Sequence, residues 1–167
     1  MYKTILLAYD GSPEGARALR EGALLARACG AQVFLLSVVP ASVGTHIAEG
    51  VHGGVLAKQF QDYEGFLQQA VARLKSYGFR PRARLIMGEP APAIGKVARE
   101  IGADLVVVGH RQQHFLSRWW SGSNQAMLSE YISCSLLVSR RDISLEEFDA
   151  EMLEVEQDCV LAVPDVQ

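Results

Sequence analysis

The chain has 167 residues, of which 49% are apolar, and a formal net charge of −3. This length predicts a single domain with a substantial core, and the apolar runs are far too short to cross a bilayer as a helix. The three cysteines, Cys29, Cys134 and Cys159, are scattered and form no CxxC pair. This pattern argues against a disulfide-stabilised secreted domain and favours a reducing cytoplasm.

The first half of the chain alternates apolar runs with helical patterns. Thr4 to Tyr9 is typical of a buried strand. Ser12 and Pro13 are suited to begin the helix that follows, since a serine caps free N–H groups and a proline needs none at the first helical position. We expect that helix to run to about Cys29, followed by a strand at 32–39, a loop at 41–53 and a helix at about 54–77.

The second half continues the alternation. Residues 80–86 alternate arginine with Pro, Ala and Leu, and a proline inside a strand is typical of a sheet edge. We then expect a helix from about residue 90, a strand at 104–108, a loop at 109–121, a helix at 122–132 and a strand at 135–140. Strands alternating with helices predict an α/β fold, a mostly parallel sheet with helices on both faces.

Charge divides the chain into a basic body and an acidic tail. Residues 1–141 hold all 16 Lys and Arg with 10 acids, whereas residues 142–167 hold 9 acids and no base. We therefore divide the chain into an α/β domain at 1–141 and an acidic appendage at 142–167. The tail is predicted either to be a frayed, solvated terminus or to pack on the basic surface of its own body or of a partner.

The tail also carries its own helix signal. Ser144 and Glu147 match a capping box. Apolar residues follow at alternating spacings of three and four: Leu145, Phe148, Met152, Val155 and Cys159. Such a stripe has to pack against another surface.

The segment DLVVVGHRQQHFLSRWWSGS, residues 104–123, is the strongest candidate for a binding site. A buried strand ends at Gly109, and Gly122 and Ser123 begin a helix whose free N–H groups can bind an anion. Open α/β sheets bind ligands at such carboxyl strand ends. The chain has no GxGxxG, P-loop or GxSxG motif, and His110 and His114 have no third ligand nearby in the sequence, so no metal site is expected.

Four stretches together resemble the universal stress protein family: ILLAYDGSPEG, LLSVVP, GEPAPAIGKVAREIGADLVVVGHR and SGSNQAMLSEYISCSLLVSR. The resemblance covers residues 2–140. It implies a five-stranded sheet of order 3-2-1-4-5, similar to the adenine nucleotide alpha hydrolases, with a ligand cleft between strands 1 and 4.

The ATP-binding branch of that family carries the motif G-x2-G-x9-G-[ST]. Gly109, Gly122 and Ser123 match it, but Gln112 stands at the second glycine. A glycine there lets the backbone approach phosphates, and Gln112 adds a side chain. The GHRQ string is also similar to the founding, UspA-type branch, which does not hold ATP.

The resemblance implies an adenine nucleotide cleft, with Mg²⁺ entering only with the nucleotide. Asp10 would face the ribose or a metal-linked phosphate, and the backbone of Val38 would meet the adenine. The full set of implied cleft residues is Ala8, Tyr9, Asp10, Val38, Val108, Gly109, Gln112, Gly122, Ser123, Asn124 and Gln125.

The resemblance also implies a homodimer in which the strand at 135–140 pairs with its two-fold mate. Covering of that edge by the tail is the alternative. Three functions stay open: a cytoplasmic stress-response sensor that binds a nucleotide, a nucleotide-free interaction protein with unknown protein partners, and a weak ATP hydrolase. The last would need a general base that the sequence does not reveal, and no nucleic acid or membrane partner is expected.

Overall fold

The computed structural model describes residues 1–40, 54–110 and 128–160, with the side chains of all these residues except 54–56 and 154–160. The strands are β1 (Thr4–Ala8), β2 (Gln32–Pro40), β3 (Arg82–Gly88), β4 (Leu105–Gly109) and β5 (Ser135–Ser139). The helices are α1 (Pro13–Cys29), α2 (Gly54–Ser76), α3 (Pro90–Ile101), α4 (Leu128–Tyr131) and α5 (Leu145–Val160). Within these ranges, no helix combines the length and the apolar character that a bilayer span requires.

The five strands form one sheet of order β3-β2-β1-β4-β5, in which all neighbours are parallel. Helices α1 and α2 cover one face, and α3 and α4 cover the other. The fold predicted from the sequence, including the strand order that the resemblance implies, is confirmed. Because both faces are covered, the inner strands are continuous apolar runs rather than alternating ones.

Helix α1 begins and ends where the sequence predicts. The Ser12 hydroxyl accepts a hydrogen bond from the Gly15 N–H at 3.0 Å, and Pro13 occupies the first turn. Gly30 adopts the left-handed conformation (φ 61°), and its N–H bonds to the last turn of the helix. A glycine reaches this conformation without steric cost, so it ends the helix cleanly.

Two strands, β3 and β4, are shifted along the chain from their predicted ranges, and the other three differ from theirs by one residue at the carboxyl end. Strand β3 is an edge strand as expected, but it spans residues 82–88 rather than 80–86. Pro81 has no N–H to donate, and pairing with β2 begins at the next residue, where Arg82 lies opposite Phe34. Asp104 lies outside β4, and its carboxylate accepts hydrogen bonds from the N–H groups of Lys3 (2.7 Å) and Thr4 (3.1 Å). Asp104 thus fixes the start of the central strand.

The acidic tail begins with the predicted capping box. The Ser144 N–H donates to the Glu147 carboxylate at 2.8 Å, and the Glu147 N–H donates to the Ser144 hydroxyl at 3.1 Å. The Ser144 N–H, followed by the Ser144 hydroxyl, favours the ionised Glu147 carboxylate and holds its pKa below the ordinary value. Helix α5 therefore has a defined first turn.

The start of the tail is built into the core of the α/β domain. Ile143, Phe148 and Met152 are at most 2% exposed and join the cluster beneath α1 and α2. Phe148 meets the ring of Tyr77 edge-on, with centroids 5.0 Å apart. The predicted stripe was wrong for Leu145, which is 45% exposed, because Ile143 is buried instead. Ile143 and Phe148 occupy the two positions of a hydrophobic staple around the helix start.

Polar contacts fix the direction of the tail. The Arg20 guanidinium donates to the Ile143 carbonyl at 2.7 Å, and Asp149 accepts a hydrogen bond from the Tyr77 hydroxyl. Two ion pairs accompany these bonds, Arg17–Asp142 at 2.7 Å and Arg141–Glu151 at 3.1 Å. The sequence left open whether the tail is frayed, packs on its own body or packs on a partner. The described residues 142–153 pack on the body of their own chain. The division of the chain at residue 141 stays a prediction.

We expect Phe148→Ala to lower the free energy of unfolding by about 3–4 kcal/mol, because it opens a cavity in the core. Leu153, which is 61% exposed, provides the matched control, and Leu153→Ala should change stability by about 0.5 kcal/mol or less. Urea denaturation followed by circular dichroism measures both values. Equal effects of the two substitutions would show that the tail does not dock as described.

Candidate functional site

The winding of the sheet reverses at β1. The chain leaves β1 towards β2 on one side and leaves β4 towards β5 on the other, while β1 and β4 are neighbours in the sheet. The connections after two such strands diverge and leave a crevice outside their carboxyl ends. The candidate cleft residues at these two strand ends are Tyr9, Asp10 and Gly109.

Hydrogen bonds to β2 and to α1 hold the end of β1 in place. The Tyr9 N–H donates to the Leu36 carbonyl at 2.8 Å, and the Tyr9 carbonyl accepts from the Ser37 hydroxyl at 2.6 Å. Oδ1 of Asp10 accepts from the Ser12 N–H (3.0 Å) and hydroxyl (2.6 Å). Among the described residues, the hydrogen bonds of the Asp10 carboxylate are made by Oδ1, and Oδ2 has no hydrogen-bond partner there.

Two glycines let the ends of β1 and β4 approach the first turn of α1. A Cβ atom on Gly15 would collide with Oδ1 of Asp10. A Cβ atom on Gly109 would lie 2.6 Å from the Glu14 carbonyl oxygen and 2.9 Å from the Gly15 nitrogen. Gly109 therefore has a packing role against α1, whereas its predicted role towards a phosphate stays a prediction.

Three of the predicted cleft residues are buried beneath this edge. Ala8, Val38 and Val108 are 6%, 5% and 1% exposed, and they belong to the core cluster that faces α3 and α4. Their side chains can form the floor of a cleft, but they offer little surface for direct contact. The predicted residues of the phosphate loop, Gln112, Gly122, Ser123, Asn124 and Gln125, lie outside the described residues, as do His114, Trp119 and Trp120.

A group of half-buried, electrostatically interacting side chains near Asp10, namely Tyr9, Arg20 and Arg73, was not anticipated from the sequence. The ring of Tyr9 packs against the cluster beneath α1 and α2. Burial and then the charge of Asp10 raise its pKa, while Arg20 and Arg73 act in the opposite direction. Burial, followed by the nearby Arg73, lowers the pKa of Arg20. Tyr9 directly follows β1, whereas Arg20 lies in α1 and Arg73 in α2, so no local spacing could have brought them together.

A polar cavity of about 320 Å³ lies beside this crevice, at the carboxyl ends of β4 and β5. Its lining includes Glu14, Arg17, His110 and Arg140. The Arg140 guanidinium lies 2.8 Å from Nε2 of His110; because arginine can only donate, this contact is a hydrogen bond when Nε2 carries no proton. The sequence contained a usable signal here, because His110 and Arg140 each follow a strand and parallel strands end at the same sheet edge.

The described part of the site offers hydrogen-bonding groups to a ligand. Within the described ranges, no group of three or more His, Cys, Asp or Glu side chains is placed to hold a metal ion. The carboxylate of Asp10 can accept hydrogen bonds from hydroxyl groups. The arrangement therefore suits a polar ligand held at the edge of the sheet.

Relatives of this chain are named for stress responses. The sequence profile of the Universal stress protein family matches residues 1–140. A universal stress protein of Thermus aquaticus is 31% identical over 140 residues, covering 84% of this chain and all of that protein. A putative universal stress protein of Staphylococcus epidermidis is 27% identical, covering 90% and 92% of the two chains.

Solved structures show the same fold. A universal stress family protein of Burkholderia pseudomallei is 26% identical with a TM-score of 0.64, covering 84% of this chain and 97% of that one. A universal stress protein in complex with cAMP is 21% identical with a TM-score of 0.61, and the match covers 84% of this chain and 99% of that one. The universal stress protein of Archaeoglobus fulgidus in complex with dAMP is 20% identical with a TM-score of 0.56, and the match covers 82% of this chain and 97% of that one. By the profile match over most of its length and the fold it shares with these proteins, the chain belongs to the universal stress protein family.

Proposed function

We propose that this universal stress protein binds an adenine nucleotide between the carboxyl ends of β1 and β4. The observation that carries the proposal is the placement of Asp10 at the point where the winding reverses, with one carboxylate oxygen unpartnered among the described residues. Two similar structures are complexes with cAMP and dAMP, which supports an adenine nucleotide as the ligand class. In this proposal the protein is a cytoplasmic sensor whose nucleotide occupancy changes the surface offered to its partners.

The proposed contacts divide between two parts of the chain. Asp10 accepts hydrogen bonds from ribose hydroxyls, and the backbone near Val38 meets the adenine edge. The phosphates lie at Gly122 and Ser123, whose N–H groups and hydroxyl suit an anion. Mg²⁺ enters only with the phosphates it neutralises.

Gln112 favours a second candidate function, a nucleotide-free interaction protein. Its side chain stands where the ATP-binding branch carries a glycine, and a Cβ there keeps the loop backbone away from a phosphate. Hydrolysis of ATP is the least supported possibility, because Asp10 would have to organise a metal ion and water and the sequence reveals no general base to accompany it.

We expect AMP, cAMP or ATP with Mg²⁺ to raise the melting temperature. A ligand at 100 times its Kd adds about 2.7 kcal/mol, which corresponds to roughly 5–10 °C for a domain of this size. Asp10→Asn should reduce the shift, whereas Asp62→Asn on the exposed side of α2 should leave it unchanged. Differential scanning fluorimetry with each nucleotide makes the comparison.

Gln112→Gly separates the two candidate functions. If the side chain obstructs the phosphates, the variant should bind ATP more tightly than the wild-type chain while AMP binding changes less. If no nucleotide at millimolar concentration shifts either protein, the nucleotide-free function is the correct one.

We further propose a homodimer formed by β5, the edge strand opposite β3. The Ser135 N–H donates to the Asp104 carbonyl, and the Ser139 carbonyl accepts from the His110 N–H. In a parallel strand the groups of alternate residues point the same way, so the backbone groups of Leu136 and Val138 point to the free edge. Helix α5 packs on α1 rather than along the free edge of β5. An apolar strand edge of this kind is a site for strand pairing.

We expect Val138→Pro to convert the dimer to a monomer, because it removes an outward N–H without breaking the pairing with β4. Leu137→Pro is the matched control, since its N–H points towards β4 and its loss should lower the melting temperature. Light scattering measures the mass, and thermal unfolding measures the fold. A Val138→Pro protein that stays dimeric would exclude β5 as the interface.

A further inference from the structure

A cavity of about 490 Å³ lies at the amino edge of the sheet, the edge opposite the candidate nucleotide cleft. It opens where the strands start at different levels. Strand β2 pairs with β1 from Gln32 onwards, but it pairs with β3 only from Phe34. The first residues of β2 therefore extend beyond the start of β3, and the turn at 78–80 and the end of α3 complete the walls. Pockets of this size are common binding sites for small molecules.

The inner wall of the cavity is apolar. Val33 and Phe34 are buried in the sheet, and Phe79 and Ile101 are half-buried beside them. The two rings already attract cations, with the Arg27 guanidinium 5.2 Å from the centroid of Phe79 and that of Arg84 at 5.8 Å from Phe34. Phe79 and Ile101 offer the apolar surface that a ligand with an aromatic or aliphatic body would remove from water, whereas Val33 and Phe34 are already at most 9% exposed.

The rim of the cavity carries an excess of positive charge. Of the arginines around it, Arg84 is paired with Glu100 at 2.6 Å. Arg80 and Arg82 line the cavity and are exposed, and neither has an acidic partner among the described residues. No acidic residue is among the lining residues that the structure describes. Two guanidinium groups free of carboxylates suit an oxyanion, which arginine can bind through two parallel hydrogen bonds.

We propose that this cavity binds a small amphipathic organic anion, a carboxylate or sulfonate whose apolar body lies on Phe79 and Ile101. Arg80 and Arg82 bind its acidic group at the rim. The site is independent of the nucleotide cleft, because the two lie at opposite ends of the same strands. Since the rim is exposed, added salt weakens the binding.

The probe for the test is anilinonaphthalene sulfonate, an aromatic sulfonate whose fluorescence rises in apolar surroundings. We expect one probe per chain in the wild-type protein. The double variant Arg80→Gln/Arg82→Gln should bind roughly tenfold more weakly or worse, since charge-assisted hydrogen bonds are lost. The control is Lys58→Glu, which changes the net charge by the same two units at an exposed residue of α2 that does not line the cavity and should keep the wild-type affinity. Decanoate should displace the probe, and ATP should not.

Probe affinity within about twofold of wild type in the arginine variant would overturn the proposal, since bidentate arginine contacts are worth more than that. An equal loss in the lysine control would also overturn it, because net charge would then explain the binding. Displacement by ATP but not by decanoate would place the probe in the nucleotide cleft and reject the amino-edge site. The nucleotide proposal is tested separately by its own melting shifts, so either can fail alone.

Discussion

Burial of β1 on both faces is the constraint on which the rest of the structure depends. Ile5, Leu6 and Leu7 are at most 1% exposed, and β1 is hydrogen-bonded on both sides, to β2 and β4. A polar side chain inside such a strand would lose its hydration without compensation. Polar groups can therefore occur only at its ends, and this places Asp10 at the carboxyl edge and Asp104 beside the amino end.

Because polar groups are confined to the strand ends, the two edges of the sheet carry different functional groups. At the carboxyl edge, hydrogen bonds from Ser12 and Ser37 hold the end of β1 and orient a carboxylate. At the amino edge, unequal strand starts leave an apolar recess rimmed by Arg80 and Arg82. The strand register fixes the described residues at both edges, so a ligand in the amino-edge cavity would meet a preformed surface. Preformed surfaces bind with a smaller ordering cost than mobile ones.

Apolar burial and charge contribute differently to the docking of the tail. Ile143, Phe148 and Met152 leave water entirely, and such burial stabilises by about 1.5–3 kcal/mol for each large side chain. The ion pairs of Asp142 and Glu151 are largely exposed, and exposed pairs contribute little. Their signs nevertheless complement the basic body, so they help to orient a helix that the apolar residues anchor.

The sequence by itself determined the order and type of the elements and most of their ends. The apolar runs, Ser12, Gly30 and the Ser144–Glu147 box are local signals, and each acts through its own neighbours along the chain. The family resemblance supplied the strand order and pointed to Asp10 and Gly109. Only the tertiary structure decided that Gly109 touches the first turn of α1, that Arg20 joins Tyr9 to the tail, and that the tail docks on its own chain. Those contacts join residues up to 123 positions apart, and spacing along a sequence carries no information about partners that meet only when the sheet and helices have packed.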